Sequence, residues 1–160
     1  MSSWRFSSII KNGNYDGFNR KVCDMMITEA RKLAINEVLP TMQDGDRMGV
    51  HLDNGVVMVP ESYHRPFEIL KQGEWGNLTI PEKMGGQGAP AFIGDAVSEY
   101  FMAANWSLYS YLTMGNGTAH MIALYGTAKQ KEKYVKKLTA GHWGGTMLLT
   151  ESDAGSDVGA

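Results

Sequence analysis

Cysteine is almost missing from this chain. Cys23 is the single thiol in 160 residues, so no disulfide can form within it, and a reducing compartment is the default expectation. Proline is scarce as well, and none of the five falls in 16–39 or 91–112, which leaves both stretches free to be helix. No apolar run approaches the length of a membrane span. The start, 1–18, holds Arg5 and several serines but no apolar h-region, so a secretory signal is not expected. Neither sign of charge is in excess, with 17 acidic against 15 basic side chains and a net charge of −2. Lys129, Lys131, Lys133, Lys136 and Lys137, interrupted by Glu132, wrap around a helix as a solvated face, so nucleic-acid binding is not expected. His51, His64, His120 and His142 show no ligand spacing, and no HExxH or Cys/His pattern exists, so no metal site is expected.

What is present is a chain 43% hydrophobic, enough for one domain or for one domain and the start of another. Phe18, Val22, Met26, Ala30 and Leu33 recur at spacings of four and three, predicting a helix over 16–39 with Asp16 as cap and Pro40 as stop. Cys23 falls in that segment and reads as a small core residue. Val50-His51-Leu52 and Val56-Val57-Met58-Val59 around Asp53-Asn54-Gly55 predict a hairpin, because Asn-Gly supplies the positive φ of a tight turn. A shorter helix is expected over 60–73, with Pro60 at its start and Tyr63, Phe67 and Leu70 on one side. The Gly- and Pro-rich stretch 76–90 is an ordered connector or loop.

A largely apolar helix over 91–112 reads as buried among others. Gly115-Asn116-Gly117 is expected to break it, ahead of a short helix over 118–125. That lone G-x-G has no strand before it, so it is no dinucleotide fingerprint. Thr127-x-x-Gln130 is a capping box opening a last helix that ends at Gly141. After Trp143, Thr146-Met147-Leu148-Leu149-Thr150 has strand character and leads into a turn of Gly, Ser and Asp. Successive amides in such a turn form an anion-binding concavity, and a serine hydroxyl adds a donor. Glu151, Asp153 and Asp157 on that turn read as solvated carboxylates, neither an acid/base pair nor a metal site. The fold class is mainly α: a helical bundle over 1–143 with one small β-hairpin, then the first strand of another domain over 144–160.

Three ordered blocks resemble one family. Thr150-Glu151-Ser152-Asp153-Ala154-Gly155-Ser156-Asp157 is similar to the Leu-Thr-Glu-Pro-x-Ala-Gly-Ser-Asp signature of flavin-dependent acyl-CoA dehydrogenases, with Ser152 where that family usually has proline. Gly126-Thr127-Ala128-Lys129-Gln130-Lys131-Glu132-Lys133-Tyr134, with Leu138 and Gly141, resembles its G-x-x-x-Q-K-x-x-Y…L…G block. The stretch 74–82 with Gly85-Gly86-Gln87-Gly88 resembles the connector before its central helices. The hairpin and the wording Trp143-Gly144-Gly145-Thr146-Met147 resemble the large subgroup that includes 3-methylmercaptopropionyl-CoA dehydrogenase.

The resemblance implies an N-terminal helical domain and the first strand and turn of a β-barrel domain that is truncated here. It implies α,β-dehydrogenation of an acyl-CoA thioester with FAD, and a catalytic base well beyond Ala160, so no residue of this chain is given a catalytic role. Carried over by position, Met147 and Leu149 would contact the flavin, and Thr150 would hydrogen-bond near its N5/O4 edge. Gly155 and Ser156 would approach the FAD pyrophosphate, with Ser156 also near the CoA thioester. Tyr109, Ser110 and Thr113 would line the closed end of the acyl pocket. The resemblance further implies an electron-transferring flavoprotein as acceptor, a homo-oligomeric parent, and a location in the cytoplasm or, in a eukaryote, the mitochondrial matrix. An exposed apolar patch is expected where further domains dock. The rival reading is a free-standing helical interaction module without cofactor.

Overall fold

The computed structural model describes residues 8–10, 15 and 17–159. Asn19 opens helix α1 (Arg20–Leu33), its Oδ1 accepting the Val22 amide at 3.1 Å and satisfying a donor that a helix start leaves free. Asp16, the expected cap, lies outside the described residues. Cys23 and Ala30 are buried on the inner face of α1, with Met26, Ile27 and Leu33 half-buried beside them.

Pro40 does not stop the chain as expected. A π turn, Ala34–Val38, widens the backbone just ahead of it, and the Leu39 amide reaches Ala34 O across that turn. Pro40 then sits near the start of a 3-10 turn, Leu39–Thr41, where its missing N–H leaves no bond unmade. Helix α2 (Met42–Met48) follows at once and ends at Gly49, φ 60°. The hairpin is as expected: β1 (His51–Asp53) pairs antiparallel with β2 (Val56–Met58), His51 opposite Met58. Asn54 (φ 48°) and Gly55 (φ 83°) make its two-residue turn, and both strands are exposed on both faces.

A 3-10 turn, Glu61–Tyr63, leads into α3 (His64–Gln72), which buries Leu70. The connector after it is ordered by its own bonds. The Ala89 amide donates to Leu78 O at 2.7 Å, the Gly88 amide to Ile80 O at 2.9 Å, and the buried Asn77 Nδ2 to Gly85 O at 3.1 Å. Helix α4 (Ala91–Tyr125) carries the centre of the molecule. The expected break at Gly115-Asn116-Gly117 is absent; the backbone leaves helical geometry at Asn105 instead (φ −164°, ψ 95°). Gly115 is inside the helix because another chain segment lies against it: a Cβ there would stand 3.0 Å from Leu138 O and 3.1 Å from Trp143 O. The capping box at Thr127 and Gln130 opens α5 (Ala128–Thr139).

The main core packs Ala30, Ala34 and Val38 against Ile93, Val97 and Phe101 of α4. Phe101 is fully buried, edge-on to Trp75 at 5.7 Å and 5.3 Å from the Tyr109 ring. Truncating such a residue to alanine costs ~3–5 kcal/mol. A smaller cluster of Met84, Ala119, Val135 and Leu138 joins the end of α4 to α5. The architecture is mainly helical, with one two-stranded sheet among the described residues. The expected strand at 146–150 has no regular structure, because a strand exists only through ladder bonds to a neighbour and none lies beside this segment among the described residues.

Candidate functional site

Asn105 is the pivot of the site. It is 3% exposed, and its Oδ1 accepts the Leu108 amide at 3.1 Å, which makes it the N-cap of the second half of α4. Its Nδ2 donates to Thr41 Oγ1 at 2.9 Å, and the Tyr63 hydroxyl donates to its Oδ1 at 3.4 Å. Thr41 Oγ1 in turn donates to Val38 O at 2.7 Å. One bend in α4 is thereby tied to the π turn after α1 and to the start of α3.

Beyond the bend the helix has two faces. Leu108, Leu112, Gly115 and Ala119 are buried. Opposite them, Trp106, Ser110, Thr113, Met114, Gly117, Met121 and Leu124 recur at threes and fours and form one outer stripe. Trp106 is 55% exposed, Met114 47%, Met121 56% and Leu124 58%. Ser110 Oγ donates back to Ser107 O at 2.8 Å and Thr113 Oγ1 to Tyr109 O at 3.2 Å. Both hydroxyls are thus engaged by their own helix, and the stripe presents a surface that is largely apolar.

Tyr109 flanks the stripe and turns inward. Its hydroxyl lies 3.1 Å from Ser98 Oγ and donates to Trp75 O at 3.5 Å. Burial pushes its phenol above the ordinary tyrosine range, against a smaller lowering by Ser98, so the ring stays neutral and donating.

The tail reaches this helix from α5. Gly141 (φ 69°) ends α5, and the Lys137 ammonium lies 4.4 Å from the centre of the Trp143 ring. Gly145 then crosses α4 so closely that a Cβ would stand 2.6 Å from Thr118 Oγ1 and 3.1 Å from Met114 O. Past the crossing, Met147 (75%), Leu148 (89%) and Leu149 (51%) are exposed. The Glu151 amide donates to Ala154 O at 2.8 Å and closes a turn, with Gly155 set beside Thr150. Ser110 and Thr113 therefore share one stripe, Tyr109 sits behind it, and Thr150 and Gly155 share one turn. The two groups are joined through the crossing at Gly145. Trp106, Met114 and Met121 were missed from sequence because a helix apolar on most sides hides which side is left uncovered.

Residues 22–142 match the family described as acyl-CoA dehydrogenase, N-terminal domain. The chain belongs to the acyl-CoA dehydrogenase family. It is 36% identical over 121 residues to 3-methylmercaptopropionyl-CoA dehydrogenase of Ruegeria pomeroyi, covering 76% of this chain and 21% of that protein. It is 36% identical over 137 residues to the broad-specificity linear acyl-CoA dehydrogenase FadE5 of Mycobacterium tuberculosis, covering 84% and 22%. The chain thus spans about a fifth of the length of these relatives. Butyryl-CoA dehydrogenase of Megasphaera elsdenii shares the fold at a TM-score of 0.62 and 24% identity, over 89% of this chain and 35% of that one. A chain solved in work on the electron transferring flavoprotein of Acidaminococcus fermentans does so at 0.63 and 21%, over the same shares.

Acyl-CoA dehydrogenases are flavoproteins, and the exposed side chains of the tail are of the chemical kinds a flavin takes. A flavin ring needs an apolar bed with a donor at its polar edge, and a diphosphate needs unengaged donors. Met147 and Leu149 offer exposed apolar surface, while the Thr150 and Ser156 hydroxyls are exposed and have no hydrogen-bond partner among the described residues. No group of three or more His, Cys, Asp or Glu able to hold a metal exists among the described residues. No helix among them is long and apolar enough to cross a membrane.

Proposed function

We propose that this chain is the N-terminal part of an FAD-dependent enzyme that dehydrogenates an acyl-CoA thioester between its α and β carbons. The observation that supports the reading is the uncovered apolar stripe of α4, with Gly145 packed beside it against Met114, Gly115 and Thr118 and the flavin-signature turn following. The helical domain ends at residue 143, and 144–160 begins the barrel domain. Ser110 and Thr113 form a wall of the acyl pocket, with Tyr109 at its inner end. Met147 and Leu149 bed the flavin ring, Thr150 donates to its polar edge, and Gly155 and Ser156 hold the diphosphate. Ser156 also lies toward the CoA thioester.

The reaction removes a proton from the α carbon and a hydride from the β carbon, leaving a carbon–carbon double bond. FAD, when bound, accepts the hydride. This chain's residues orient the acyl chain and keep water from it, and the proton-abstracting carboxylate is assigned to none of them. By family relation the acceptor is an electron-transferring flavoprotein, the whole protein is a homo-oligomer, and it works in the cytoplasm or the mitochondrial matrix. Expression from the complete reading frame tests the reading. A yellow protein whose flavin is reduced by an acyl-CoA is expected. A product that purifies without flavin and reduces no acceptor overturns it, and a stable, colourless 160-residue protein in cells supports the free-standing helical module instead.

A further inference from the structure

We propose that Asn105 determines acyl-chain specificity by fixing the rotation of the outer stripe of α4 about the helix axis. The inference rests on the acyl-wall reading of Ser110 and Thr113. In an uninterrupted helix each residue advances by about 100°, so the packing of the first half would dictate where the second half points. Asn105, at φ −164° and ψ 95°, uncouples the two. Its side chain then supplies a new reference through bonds to three places: the Leu108 amide, the Thr41 hydroxyl 64 positions earlier and the Tyr63 hydroxyl 42 positions earlier. Thr41 is itself tied to Val38 O, so the reference is the chain leaving α1. Ser110 and Thr113 follow within about two turns.

Asn105 is 3% exposed with Oδ1 and Nδ2 both engaged internally, so it is a positioning residue, acting through the stripe and not on substrate. The leverage is large enough to matter. At a helix radius of about 5–6 Å, turning the stripe by about 20° moves a side chain by about 2 Å, more than one methylene step along an acyl chain. A single methylene in an apolar pocket discriminates by about 10- to 200-fold.

The test uses Asn105→Ala, Asn105→Asp and Thr41→Val in the flavin-loaded protein from the complete reading frame. The readouts are kcat and KM over a straight-chain acyl-CoA series and hydrogen exchange of the segment 106–112. Asn105→Ala is expected to speed exchange there and to change the kcat/KM ratio between shorter and longer substrates by about tenfold, mainly through KM. Asn105→Asp keeps the acceptor facing Leu108 and Tyr63 but loses the donor to Thr41, so its ratio is expected to fall between those of the parent and Asn105→Ala. A shift as large as that of alanine overturns the inference. So does a parental ratio in Asn105→Ala and Thr41→Val despite faster exchange or lower stability, and that outcome leaves the dehydrogenase reading standing. Should Asn105→Ala not fold, Thr41→Val decides by the same ratio. A parent protein with no flavin and no acyl-CoA oxidation overturns both readings.

Discussion

Gly115 lies directly beneath the Trp143 carbonyl: a methyl built on its Cα would stand 3.1 Å from that oxygen and 3.0 Å from the Leu138 carbonyl. Backbone fills the space, so no side chain can swing aside. Gly115→Ala must push the end of α5 and the crossing at Gly145 away from α4, and overpacking of this kind costs ~1–3 kcal/mol. Gly117, in the same helix, has nothing within 4 Å of such a methyl, so Gly117→Ala is expected to stabilise by up to ~1 kcal/mol. Urea unfolding of the two variants compares them directly, and equal effects would contradict the close approach.

Filling the stripe tests the proposal that it forms an acyl wall. Ser110→Trp adds bulk at a half-buried position of the helix surface without touching the core. The complete protein is expected to keep its flavin while kcat/KM for the longest acyl-CoA falls at least about tenfold, and shorter chains less. An unchanged chain-length profile would remove Ser110 from the pocket.

Tyr109 sets an alkaline limit. Its folded pKa is raised by burial, so the folded state holds the phenolic proton more tightly than the unfolded chain does. Stability from this group is complete below the ordinary tyrosine pKa of about 10 and is lost as pH rises from there through the folded value. Unfolding midpoints measured from neutral pH upward are expected to fall less steeply in Tyr109→Phe than in the parent. Parallel curves would show that the phenol is not desolvated.

The Glu37–Arg65 pair sets an acid limit in the opposite sense. Arg65 Nε donates to Glu37 Oε2 at 2.9 Å and Nη2 to Oε1 at 3.0 Å, a two-point pairing that holds the carboxyl below its ordinary range. Its contribution is present above the unfolded carboxylate pKa and lost as pH falls through the lower folded value. Glu37→Gln is expected to flatten the acid side of the stability profile, modestly, because the arginine is exposed. An acid profile identical to the parent's would mean that the pair is not maintained in solution.

The elements with strong local signals were legible in the sequence. The hairpin follows from Asn54-Gly55, α5 from Thr127 and Gln130, and α1 from its apolar spacing. Three features were not, each for a tertiary reason. Pro40 is tolerated because the π turn before it widens the backbone, a device with no composition of its own. Gly115 sits mid-helix to admit the carbonyls of Leu138 and Trp143, which only the fold brings near. The bend at Asn105 depends on Thr41 and Tyr63, both distant in sequence. The turn at 151–154 was legible from its Gly, Ser and Asp content, whereas the outer stripe shows only once the buried face of α4 is known.

Position 110 reports whether acyl-CoA lies along the outer stripe of α4. Cys23, the natural thiol of this sequence, is 1% exposed and its thiol is pushed up by burial, so it reacts slowly. Thiol labelling at position 110 in Ser110→Cys, followed by mass spectrometry on the complete protein, reads access to the stripe with and without acyl-CoA. Saturating acyl-CoA is expected to slow labelling at that position, more for a long acyl chain than for a short one. A labelling rate that no acyl-CoA changes would contradict it.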